Sequence, residues 1–174
     1  LDDGLDSELL SEAKLRRELE TRGVVFSSDT DTEVVAHLVS EARRAGASSL
    51  ADAVRGVLKR VRGAYAIAVV ADDSPNEIVL AKNESPLVIG IGQGEMFAAS
   101  DAPALLEHTR DFMFLHDGDV VVLRASGALV TSLEGTPVER ETKRVDWSPA
   151  QAEKDGHKHF MLKEIFEQPR AIED

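Results

Sequence analysis

Apolar residues recur at helical spacing through the first third of the chain and at strand spacing through most of the rest. Over residues 7–22, Leu10, Ala13, Leu15 and Leu19 make a rough stripe. Ser7 stands at a capping position, and Gly23 sits where a helix-ending residue is expected. The run Val24-Val25-Phe26 reads as a short strand. A second helix follows, in which Thr30 and Glu33 fit a capping box and Val34, Val35, Leu38, Val39 and Ala42 keep helical spacing up to Gly46. A third starts at Ser48 or Ser49 and turns Leu50, Ala53, Val54, Val57, Leu58 and Val61 inward.

From Gly63 the period changes. Residues 64–71 read as a buried strand, and 77–82 as its hairpin partner across a polar turn. Residues 86–92 and 96–100 form another pair around Gln93-Gly94-Glu95, and the short helix DAPALLEH separates them from strands at 112–115, 119–125, 128–133 and 137–145. The tail from His159 reads as helical up to Gln168, with Phe160, Leu162, Ile165 and Phe166 as apolar contacts, and Pro169 is expected to bend or end it. Helices first, then strands joined by tight hairpins, predict antiparallel sheets and an α+β fold.

Composition narrows the function. The 174 residues are 43% hydrophobic and 30% charged, which is a globular balance for one domain. A net charge of −12 repels nucleic acids and anionic membrane surfaces, so neither is expected as a partner. No apolar run is long enough for a membrane helix, and the acidic start lacks a signal-peptide pattern, so the cytoplasm is the expected location. With no cysteine there is no disulfide, no thiolate metal site and no thiol nucleophile in these residues.

Few residues suggest chemistry. Gly90-Ile91-Gly92-Gln93-Gly94 lacks the spacing of a dinucleotide fingerprint and precedes a strand, so a glycine hairpin explains it better and no cofactor is expected. His157 and His159, with Glu164 beyond, leave a ligand set incomplete, and no metal is expected. His37 reads as a satisfied, partly buried histidine. The lysines and arginines read as a solvated face. Asp31 stands apart. An acid in a first helical turn is favoured by the helix dipole, so a structural role suffices. The less favoured alternative is that a carboxylate at that place receives the ammonium group of a ligand.

Several blocks together resemble a known family: SSDTDTEVVAHLV (27–39), RGAYAIAVV (62–70), ESPLVIGIGQGEMFAASD (84–101), TRDFMFLHDGDVV (109–121) and HFMLKEIFEQPRAI (159–172). They are similar to the glutaminase (class II glutamine amidotransferase) domain of glutamine-fructose-6-phosphate aminotransferase, over residues 15–174. The resemblance implies an N-terminal-nucleophile hydrolase fold, two antiparallel sheets stacked between helical layers, here incomplete. It implies glutamine as substrate, with Asp31 binding its α-amino group. It also implies isomerase domains as partners in a larger enzyme that makes glucosamine 6-phosphate. A homo-oligomer is compatible with it.

The departures shape the expectation. The family's nucleophile is an N-terminal cysteine, and no cysteine is present. In the family the segments that hold the substrate carboxylate and form the oxyanion hole lie upstream of the match at Leu15–Glu20, where residues 1–14 here are an unmatched segment. The expected function is therefore that of a glutaminase-domain portion that binds glutamine through Asp31 and is inactive by itself. A non-catalytic glutamine-binding or domain-docking module is the alternative.

Overall fold

The computed structural model describes residues 12–146 and, near the C-terminus, residues 161, 162, 165, 166 and 168. Ser7, Phe160 and the histidines at 157 and 159 lie outside the described residues. Three helices come first: α1 (Glu12–Thr21), α2 (Asp31–Arg44) and α3 (Leu50–Leu58). Glycine ends the first two for the same reason. Gly23 and Gly46 adopt φ of 86° and 99°, a left-handed conformation in which other residues are strained. In each case the next N–H reaches back to a carbonyl of the last turn, Val24 to Leu19 (3.1 Å) and Ala47 to Ala42 (3.1 Å). Ser49 caps α3, its hydroxyl accepting from the Asp52 N–H at 3.0 Å.

Eight strands follow: β1 (Tyr65–Val69), β2 (Ile78–Asn83), β3 (Val88–Ile91), β4 (Met96–Ala99), β5 (Asp111–Phe114), β6 (Val120–Arg124), β7 (Gly127–Thr131) and β8 (Thr142–Arg144). They build two four-stranded antiparallel sheets, ordered β1-β2-β6-β7 and β4-β3-β5-β8. The sequence DAPALLEH gives a 3₁₀ turn at Ala102–Leu105. The described tail residues, 161, 162, 165, 166 and 168, are helical.

Alternation along the strands sorts the core into three layers. Val79, Ala81, Val120 and Val122 point to the helices and pack with Leu15, Leu19, Val34, Leu38, Val54 and Leu58. Their neighbours Leu80, Val121, Leu123 and Val130 point the other way and meet Leu87, Ile89 and Leu115 between the sheets. On the far side of the second sheet, Val88 and Phe112 pack on Ala102, Leu105 and Leu106. The first sheet is thus covered on both faces, which is why β2 and β6 are nearly unbroken apolar runs despite antiparallel pairing.

The sandwich is not closed. Strand β1 is an edge of its sheet, and Ala68, opposite Leu80, shares the inter-sheet face. Yet Ala66, Ala68 and Val70 are exposed, Val70 by 71%. The expectation of a buried strand at 64–71 therefore holds only in part: Tyr65, Ile67, Val69 and Ala71 are half-buried against the helix-side core. The glycine cluster serves the β3–β4 hairpin: a side chain at Gly90 would come within 2.7 Å of the Thr109 methyl, and Gly94 turns with φ of 74°.

Two local expectations fail. Residues 24–26 do not form a strand. The Val24 N–H is spent on closing α1, and the Phe26 ring lies under the Arg16 guanidinium, 4.2 Å from its centroid. The capping box does not form either. Thr30 is the N-cap of α2 but its side chain caps nothing, and Glu33 reaches past it to the Ser27 and Ser28 N–H groups at 2.7 and 2.8 Å. Both serine hydroxyls also donate to Glu33. Four donors solvate the carboxylate better than the single N–H a capping box would offer.

Candidate substrate-binding cleft

Asp31 is the first residue of α2 and is exposed. It lines a cleft of about 100 Å³ between three parts of the chain: Leu15 on α1, the first turn of α2, and the Val61–Ile67 segment that enters β1. Val34, Val35, Val61 and Ile67 give the cleft apolar walls, and Arg62, Thr32 and Tyr65 add polar groups. Burial, and to a lesser degree the Asp117 carboxylate, pushes the Tyr65 phenol above its ordinary pKa, so it is a neutral hydroxyl at pH 7.

Among the described residues neither Asp31 nor Arg62 has a hydrogen-bond or ion-pair partner. Charged side chains without partners beside apolar walls are not needed for packing. A carboxylate and a guanidinium on one cleft suit a small ligand that carries both signs of charge.

The segment that delivers Asp31 is tightly bonded. Beyond its four bonds to Ser27 and Ser28, Glu33 lies 3.4 Å from His37 Nε2, a buried nitrogen that has no partner in hydrogen-bond geometry. His37 is thus partly buried, as expected, but not satisfied. Its ring packs edge-on against Phe26, with centroids 4.9 Å apart. Hydrogen bonds from the Ser27 N–H and the Ser28 hydroxyl lead in lowering the Glu33 pKa to about 2 from 4.5. Asp52, bonded first by Ser48 and then by Arg55 and Ser49, is likewise lowered to about 2 from 3.8.

A folded-state pKa below the unfolded one stabilises the fold above the unfolded value and loses that contribution as pH falls through the folded one. Acid destabilisation is therefore expected between about pH 4.5 and 2, and Glu33→Gln should flatten part of it. Urea midpoints across that range check this. An unchanged slope in the variant would show that Glu33 is not held as described.

The structure places the sequence-derived site residue, Asp31, in a cleft. Arg62 and Tyr65, at the entry to the edge strand β1, were not singled out by sequence. Arg16, read as part of a solvated face, instead donates to the Ser28 and Thr30 carbonyls. Among the described residues no cluster of three or more histidine or acidic side chains could hold a metal ion. No described helix is long and apolar enough to cross a membrane.

Known proteins give the cleft a context. The "Glutamine--fructose-6-phosphate aminotransferase [isomerizing]" of Thermus thermophilus is 55% identical over 161 residues, covering 92% of this chain and 26% of that protein. Its namesake from Thermococcus kodakarensis is 48% identical over 163 residues, covering 93% and 27%. The chain thus spans about a quarter of the length of these relatives. Among solved structures, the glutamine phosphoribosylpyrophosphate amidotransferase of B. subtilis, complexed with ADP and GMP, superposes with a TM-score of 0.58 at 26% identity. That match covers 70% of this chain and 26% of that one. The fold is therefore that of the N-terminal-nucleophile amidotransferases. Residues 5–107, more than half of the chain, match the family described as "Glutamine amidotransferase domain", and the chain belongs to that family.

Proposed function

We propose that this chain is the glutamine-binding portion of the glutaminase domain of a glutamine-fructose-6-phosphate aminotransferase. The observation that carries the reading is Asp31, a partnerless carboxylate at the N-terminus of α2 on an apolar-walled cleft. It would receive the α-ammonium of glutamine, while the apolar walls exclude water and strengthen the pairing. In the whole enzyme, ammonia released from glutamine would pass to fructose 6-phosphate bound by the isomerase part. A cytoplasmic location goes with this reading.

The residues present support binding more than turnover. With no cysteine, the chain carries no thiol nucleophile, so ammonia release by these residues alone should stay at the uncatalysed level. The exposed apolar side chains of Met161 and Ile165, on the helical tail, favour contact with the sugar-phosphate part of the enzyme.

A chimera tests the reading. Residues 15–174 would replace the matching segment of the Thermus thermophilus aminotransferase, a protein 55% identical to this chain. The chimera is expected to form glucosamine 6-phosphate from glutamine and fructose 6-phosphate. A folded chimera that uses free ammonia but not glutamine would refute the assignment of the cleft.

A further inference from the structure

Asp31 has no restraint of its own. Its carboxylate has no described partner, and Thr30, the N-cap before it, makes no side-chain cap bond. Its position is fixed by the loop of residues 26–30. Glu33 holds one end of that loop through the Ser27 and Ser28 N–H groups, and this is a bond within α2 and its own entry. The other hold comes from a different helix. Arg16 of α1 donates from Nη1 and Nη2 to the Ser28 carbonyl at 3.2 and 3.3 Å, and from Nη2 to the Thr30 carbonyl at 3.0 Å. Its guanidinium carbon sits over the Phe26 ring, 4.2 Å from the centroid, and that ring also meets His37 of α2 edge-on.

We propose that Arg16 is a positioning residue for the glutamine site, a clamp that ties the Ser28 and Thr30 carbonyls and the Phe26 ring to α1 so that Asp31 is presented to the cleft in one place. This rests on the reading of Asp31 as the ammonium acceptor. The two carbonyls flank Asp29, so both sides of the bend just ahead of Asp31 are pinned. Leu15, the neighbour of Arg16, is a wall of the same cleft, which places clamp and cleft on one helix. The planar fork is what the geometry requires. It reaches two carbonyls from a carbon seated over a ring, a spread of donors that the compact, strongly hydrated lysine ammonium matches poorly.

Without the clamp, ligand binding must itself order the loop. The entropy of fixing one or two residues corresponds to about tenfold in affinity. The test uses the 174-residue chain with Arg16→Met and Arg16→Lys, titrated calorimetrically with L-glutamine, beside amide hydrogen exchange. Both variants are expected to melt cooperatively, since Arg16 lies outside the buried core. Exchange should rise at residues 27–31 and stay unchanged in the sheets. Glutamine affinity should fall about tenfold for Met, with lysine recovering little of it.

Wild-type affinity in a variant whose loop exchanges fast would overturn the clamp while leaving the reading of Asp31 intact. So would full recovery by lysine. Failure of the wild-type chain to bind glutamine would overturn the reading of the cleft and the proposal with it. If either variant does not fold, the other carries the comparison. If neither folds, Arg16 is a core stabiliser and the proposal is wrong.

Discussion

Glutamine affinity should fall roughly 10- to 100-fold when Asp31 is replaced by asparagine, as expected from losing a charge-assisted hydrogen bond. Asparagine keeps the size of the side chain and still starts a helix well, so the loss would come from the charge. The stability of the fold should barely change, because Asp31 is exposed and holds no partner among the described residues. Losing the favourable dipole interaction of a first-turn acid costs about 0.3–1 kcal/mol at most. A variant that loses affinity and keeps its melting temperature would separate ligand binding from folding at this residue. Equal affinities, measured by titration calorimetry, would remove Asp31 from the site.

The second large effect concerns stability. The chain passes from the first sheet to the second between β7 and β8, and one buried ion pair fixes that passage. Asp119, 2% exposed, accepts from Arg140 Nε at 2.8 Å and Nη2 at 2.7 Å, and from the His116 N–H at 2.8 Å. Substituting Arg140 by methionine would leave a buried carboxylate with a single donor. Breaking a buried pair from one side costs about 3 kcal/mol, or roughly 8 °C in melting temperature for a chain of this size. Thermal unfolding checks it. The double variant Asp119→Leu with Arg140→Met should recover much of the loss, since removing both charges removes the desolvation penalty too. A single variant as stable as the wild type would mean that the crossing is held by other contacts.

The legible parts of this fold were those with local causes. Gly23 and Gly46 ended their helices because only the backbone of the last turn is involved. The hairpins β1–β2, β3–β4 and β6–β7 were readable from adjacent apolar runs and the turns between them. What sequence misread depends on partners far along the chain. Val24 to Phe26 has strand composition but no neighbouring strand to pair with, because helix closure and Arg16 use its groups. Strand β1 looks buried from its residues, and only the sheet order shows it to be an edge strand on which Ala66 and Ala68 are exposed. Arg140, within a stretch that reads as polar, turns inward to meet an aspartate 21 residues earlier.

The site divides the same way. Asp31 was singled out because a carboxylate in a first helical turn has two explanations, and the resemblance favoured one. Glu33 was assigned to a local capping box, and its choice of Ser27 and Ser28 depends on how the loop folds back. Arg16 and Arg62 could not be told from solvated cations, since nothing local marks an arginine that crosses from one helix to a loop or lines a cleft.

The most direct test asks which atom of the ligand Asp31 holds. The 174-residue chain and its Asp31→Asn variant would each be titrated with L-glutamine and with N-acetyl-L-glutamine, which lacks the ammonium group. The wild type should strongly prefer glutamine, and the variant should lose that preference. A wild-type chain that binds both ligands equally, or a variant that still discriminates between them, would contradict the pairing of Asp31 with the α-ammonium.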